Sequence, residues 1–419
     1  MISENALYWI WITNSLGYNN IKVKRLYELY DDIKLFYSGG IREWRFCGIF
    51  TENELRKLEK ETLNKAEVII EKCKKLGYSI ISIDDEQYPE CLINIDVPPA
   101  VIYVSGNLPD VDNRVTLAIV GTRRATHYGV DNAFRFGYAL AKCGGIIVSG
   151  GALGVDCASH RGALATKGVT VCVLGCGLNY NYLPENEGMR KAIALNGAVI
   201  SEYPPDEPPM KYNFPARNRI ISALSDGVII MEAGRKSGSL ITANIAIEQG
   251  KEVFALLGNN NPQNEGSNSL VKAGCAHPVT DFMDVLNEFN KNRGIVFDNI
   301  EIDFDDIPSS EFDEVPVKGA KQVLSKNKPK AFDNKRAEQK INNKKIEITD
   351  IEITDEYLKN LNLSDTAIRV YKTMSSEPVH IDTISKRLDV PVFKVLTIMS
   401  QLEIKGLITP LSGRRYVQK

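Results

Sequence analysis

The eight cysteines are scattered through 419 residues without a single CxxC pair, which leaves no zinc ribbon or disulfide framework to build on. Several lie inside apolar runs such as VTVCVLGCG, where cysteine serves as a small hydrophobe. Reduced thiols of this kind suit a cytoplasmic protein. No apolar stretch reaches membrane-spanning length, and the start has no basic segment followed by an apolar core. A strong charge of one sign is missing too. The net charge of −2 excludes a uniformly basic polyanion binder, so any anion site must be local. A dinucleotide fingerprint is also absent. The first buried strand ends in GTRRATHYG rather than GxGxxG, and the second ends in Ser149, Gly150 and Gly151 rather than an acidic residue. No cofactor is expected, and no metal.

What is present divides into four regions. Residues 1–110 read as a helical N-terminal domain, a helix-hairpin-helix or small bundle, with one buried face along NELRKLEKETLNKAEVIIEKCKKLG. Residues 111–290 alternate short apolar runs with helices. VTLAIVG, GIIVSGG, VTVCVLGCG, AVISEYP, GVIIMEA and KEVFALLG are continuous rather than alternating, as parallel strands covered on both faces require. The expected fold is α/β, a Rossmann-like doubly wound parallel sheet. Residues 291–352 turn acidic and then strongly basic with few hydrophobics, a charged linker. Residues 353–419 give three helices and a hairpin, a winged-helix pattern. There Ile381, Ile384 and Leu388 point inward, and Lys386, Arg387, Lys394, Arg414 and Arg415 are its exposed cations.

In an open parallel sheet, ligands bind beyond the carboxyl ends of the strands, and the notable motifs fall there. Gly121 allows close backbone approach after the first strand, beside Thr122 and the cations Arg123 and Arg124. Gly150, Gly151 and Gly154 open a helix as an anion cradle, with Asp156 placed to cap it and His160 read as a packed histidine. Tyr180 and Tyr182 follow the third strand and either stack on bases or cover the loop. Four prolines in SEYPPDEPPMKYNFPARNRI stiffen a loop that presents Lys211, Phe214, Arg217, Asn218 and Arg219, the two arginines just ahead of a helix RIISALS. Cations beside an aromatic suit single-stranded nucleic acid, with phosphates on the basic side chains and a base on the ring. Ser237, Gly238 and Ser239 offer backbone and hydroxyl donors at another helix start.

Taken together, GTR at 121–123, SGGALGVDCASHRGAL, SEYPP, FPARNRIISALSDGVIIMEA, SGSLITANIAIEQGKEVFA and EGSNSLVKAG resemble the DprA/Smf family of DNA-processing proteins. The resemblance implies a homodimer without catalytic turnover that binds single-stranded DNA and loads the RecA recombinase onto it during natural transformation. It assigns DNA contacts to Arg123, Lys211, Phe214, Arg217 and Arg219, with backbone contacts from Gly121 and nearby glycines. Thr122 stands where the family commonly has Ser, and Leu257 where Pro-Gly is usual. Two other readings compete. The sheet also resembles nucleoside-monophosphate hydrolases of the lysine-decarboxylase-like group, but their PGGxGT loop is replaced by EAGRKSGSLITA, with Glu232 the obvious carboxylate. A transcription regulator would instead read duplex DNA through the winged helix.

Overall fold

The computed structural model describes residues 4–293, Ile302 and Phe304, and parts of 365–418. The linker expected over 291–352 therefore lies outside the described residues from 294 onward, those two positions apart. Two compact units separate, residues 1–322 and 323–419.

The first unit begins with five helices, α1 (Ala6–Leu16), α2 (Lys22–Leu29), α3 (Ile33–Phe46), α4 (Glu52–Lys60) and α5 (Leu63–Leu76). They close around Trp9, Trp11, Phe36 and Leu58, all buried, with the Trp11 ring edge-on to Tyr37 at 4.9 Å. The periodic stretch read as one helix is two. Thr51 and Glu54 form a capping box that starts α4, and the chain is extended at Glu61 and Thr62 before α5 begins. Gly77, left-handed at φ 70°, ends α5, as glycine does without a Cβ clash.

The sheet that follows has nine strands: β1 (Ser79–Ser82), β2 (Val101–Gly106), β3 (Thr116–Val120), β4 (Ile146–Ser149), β5 (Thr170–Leu174), β6 (Ala198–Ser201), β7 (Gly227–Ile230), β8 (Glu252–Leu256) and β9 (His277–Val279). Between them run α6 (Glu90–Ile93), α7 (His127–Lys142), α8 (Val155–Ala165), α9 (Glu187–Asn196), α10 (Asn213–Ala223), α11 (Ser239–Glu248), α12 (Glu265–Lys272) and α13 (Phe282–Arg293). The six continuous apolar runs are β3 to β8. All residues of β3 to β7 are buried, as helices on both faces demand. Strands β1 and β2, from the stretch read as helical, pair antiparallel with each other, and β2 pairs antiparallel with β6.

Strand order is β1-β2-β6-β5-β4-β3-β7-β8-β9, parallel from β6 to β9. The chain walks outward from β3 to β6, then crosses back to place β7 on the other side of β3. That reversal leaves a crevice at the carboxyl ends of β3 and β7, where doubly wound sheets bind their ligands.

In the second unit α14 (Asp365–Lys372) and α15 (Ile381–Leu388) accompany β10 (Val379–His380), β11 (Ile408–Leu411) and β12 (Arg415–Gln418), with strand order β10-β12-β11. Ala367, Val370, Ile384, Val395, Met399 and Leu402 are its buried core. Lys386 and Arg387 are exposed. Lys394 and Arg414 lie outside the described residues, as does most of the third helix.

Candidate nucleic-acid interface

A pocket of about 360 Å³ fills the β3/β7 crevice, walled by the turns after β3, β4 and β7 and by the start of α10. Each wall follows from local sequence. Gly121 continues β3 into the turn because a Cβ there would sit 2.6 Å from the Val155 side chain. The turn is tied to β7 by Thr122 N–H donating to the Glu232 carbonyl at 2.8 Å. Glu232 then accepts from the Thr126 N–H at 2.7 Å and the Thr126 hydroxyl at 2.9 Å. The carboxylate considered for hydrolysis is thus fully buried, with both oxygens spent on loop architecture.

Helix α10 starts at Asn213, several residues before the expected RIISALS. Pro215 fits within the first turn, where proline is tolerated. The helical phase has consequences. Phe214, Arg217 and Asn218, at i, i+3 and i+4, share one face, and all three line the pocket. Arg219 falls on another face and does not. It is 8% exposed and donates to both oxygens of buried Glu202, at 2.7 and 3.0 Å, and to the Val97 carbonyl at 2.9 Å. Asn19 N–H also donates to Glu202, at 3.2 Å, so this ion pair joins the N-terminal helices to the sheet. Arg219, to which the resemblance assigned a DNA contact, is thus paired with a carboxylate and not brought into the pocket.

Phe214 is half-buried. Tyr182 packs against it with ring centroids 5.4 Å apart, and the Arg123 guanidinium lies over it at 5.3 Å. Arg217 is 5% exposed and donates to the Gly150 carbonyl at 2.9 Å and to the Val173 carbonyl. A Cβ at Gly150 would come within 2.5 Å of the guanidinium, so a side chain there would displace Arg217. Burial pulls the Arg217 pKa down. Lys211 is exposed on the approach to α10, three residues before Phe214 and outside the pocket lining.

The glycine turn after β4 behaves differently from the expected anion cradle. Gly150, Gly151 and Gly154 do not line the pocket. Asp156, one residue into α8, takes the backbone N–H groups of that turn, including Ala152 at 3.4 Å. Part of the turn's donor set, the Ala152 and Gly150 N–H groups, is thus met by the protein's own carboxylate. Burial pushes the Asp156 pKa up, with Arg217 pulling the other way. His160 is fully buried. Its Nδ1 lies 2.7 Å from the Thr170 hydroxyl, whose hydrogen goes to the Ile147 carbonyl. Nδ1 is therefore the protonated nitrogen, and desolvation lowers the pKa to about 3.

On the far wall, the Ser237 and Ser239 hydroxyls share a hydrogen bond of 2.8 Å, and Ser237, Gly238, Ser239 and Thr242 line the pocket at the start of α11. Arg124, exposed beside Arg123, and the apolar side chains Ile221 and Ile241 also line it. Ile221 and Ile241 escaped the sequence reading because nothing distinguishes them from core. Among the lining residues, three arginines face a single carboxylate. Such a surface is chemically suited to an anion carrying a flat, partly apolar group.

Comparison with known proteins gives matches to the family described as DNA recombination-mediator protein A over residues 79–290 and to the DprA winged helix domain over residues 358–414. Among curated relatives, Protein Smf of Escherichia coli is 44% identical over 47% of this chain and 53% of its own length. DNA processing protein DprA of Bacillus subtilis is 39% identical over 51% of this chain and 71% of its own. Against the first of these, the match spans about half of the relative's length. The solved structure of DprA from Streptococcus pneumoniae aligns with a TM-score of 0.60 at 33% identity, covering 69% of this chain and 99% of that one.

Proposed function

Since the chain belongs to the DNA recombination-mediator protein A family, also called DprA/Smf, we propose that its β3/β7 crevice holds single-stranded DNA without turning it over and that the protein delivers the strand to the RecA recombinase. One observation carries the reading: at the sheet's switch point, Arg123, Arg124 and Arg217 line one pocket with a half-buried aromatic ring, and buried Asp156 is the one carboxylate in that lining. Phosphates are met by the guanidinium groups and by the donors of Ser237 to Ser239. Phe214 supplies the stacking surface once Arg123 turns from the ring to a phosphate. Lys211, exposed at the mouth, adds attraction to the strand outside the pocket.

The non-catalytic reading is favoured by Glu232, whose two oxygens are bound to Thr126. In the remaining detail the protein is a cytoplasmic homodimer acting in natural transformation. Nucleation of recombinase filaments on oligo-dT, followed by the recombinase's ATP hydrolysis, tests the mediator role. The protein is expected to shorten the lag without cutting or altering the oligomer. An unchanged lag under conditions where the protein binds the DNA contradicts it.

A further inference from the structure

A second cleft of about 690 Å³ adjoins the loop that carries Tyr182. Its lining includes Tyr180, Asn179, Asn181, Ser105 and Arg190. The loop is pinned at its far end by fully buried Asn186, whose amide donates to the Gly151 carbonyl at 3.1 Å. Just before it, Leu183 sits at φ 50°, ψ 75°, a left-handed conformation that a branched side chain adopts at a cost and that persists only where its surroundings enforce it. Arg190 enforces it by donating to the Leu183 carbonyl at 3.2 Å, and the Asn186 N–H donates to the same oxygen at 2.9 Å. The loop so held directs two tyrosines to two places. Tyr182 backs Phe214 in the first pocket, while Tyr180 lines the second cleft with 41% of its surface exposed.

One residue, Asn181, separates these tyrosines, so their Cα atoms are at most about 7 Å apart, and the loop that backs Phe214 also walls the cleft. Its charge has the matching sign. Lys191 is paired with Glu187 at 2.7 Å, which leaves Arg190 in excess. Its guanidinium has five donors, and Leu183 takes one. Amides at Asn179 and Asn181 can meet base edges, although Asn179 already donates to Asp206 at 2.8 Å. We propose that this cleft is a second nucleotide subsite, where the strand leaving Phe214 stacks a base on Tyr180 and sets a phosphate against Arg190. The inference rests on the single-stranded DNA reading of the first pocket.

Anisotropy titrations with labelled oligo-dT of about 5 and about 15 nucleotides test it, spanning the common range of site sizes. In the wild type the longer oligomer binds more tightly. Tyr180→Ala should erase most of that gain, a loss of at least about fivefold for the longer oligomer, and Tyr180→Phe should restore it. Phe214→Ala should instead weaken both lengths. A length-dependent gain that survives Tyr180→Ala overturns the second subsite while leaving the first intact, and assigns the cleft with its exposed Leu195 to something other than the strand. Failure of the wild type to bind either oligomer overturns the reading of the first pocket and the subsite with it.

Discussion

Two arginines, two residues apart on α10, have different work to do. Arg217 lines the crevice, its guanidinium held against the carbonyls of Gly150 and Val173. Arg219 is sealed into the junction with the N-terminal helices, where Glu202 takes its charge. The two regions differ in whether positive charge is neutralised by the protein. At the junction one guanidinium meets one carboxylate with both side chains nearly dry. In the crevice three arginines meet Asp156 alone, and the surplus is what a polyanion can use. A basic run in sequence does not distinguish these cases. The 100° step of the helix does.

The largest expected effect breaks the junction. Glu202→Leu leaves Arg219 buried without its partner, and loss of one member of a buried pair costs about 3–5 kcal/mol. Urea unfolding should show that loss, while the folded fraction keeps its affinity for oligo-dT. An equally large fall in affinity would move Arg219 back among the DNA contacts.

Acid acts on a buried histidine of α8. His160 is neutral when folded, with a pKa lowered to about 3 from 6.5, so the unfolded chain binds the extra proton between these values. Stability is therefore full above about pH 6.5 and declines as pH falls, by about 2 kcal/mol from pH 7 to pH 5. His160→Gln should flatten the unfolding free energy over that window. A wild type with no such slope would mean that the imidazole is hydrated.

Smaller effects belong to the ligand. Phe214→Ala should remove about 1–3 kcal/mol of stacking, read as a weaker oligo-dT Kd with thermal stability little changed. Lys211→Ala should lower affinity a few-fold on every sequence and reduce the slope of log K against log salt by about 0.7, one phosphate contact on a single strand. An unchanged slope would place Lys211 off the strand's path.

Much of this was legible before the structure. Continuous apolar runs marked β3 to β8, because a strand covered on both faces has no polar alternation to hide it. Gly121, Arg123, Phe214, Arg217, Asn218 and the Ser237 to Ser239 turn meet in one pocket because the sheet topology gathers strand ends. What sequence could not supply was direction. The helix was expected from RIISALS but starts at Asn213, so the helical phase that separates Arg217 from Arg219 was invisible. The glycines after β4 read as a cradle of free donors, whereas Asp156, six residues after Gly150, takes those of Ala152 and Gly150. Strands β1 and β2 went unread because, among the described residues, β1 pairs only with β2, and β2 joins the sheet through β6, about a hundred residues away in sequence.

The most direct measurement is an anisotropy titration of oligo-dT and of duplex DNA at two salt concentrations, with the wild type and Arg123→Ala. The account predicts tighter binding of the single strand, a steep loss with salt, and a marked further loss in the variant, whose guanidinium covers Phe214 when no strand is bound. Equal affinity for both DNAs, indifferent to Arg123→Ala, would contradict it.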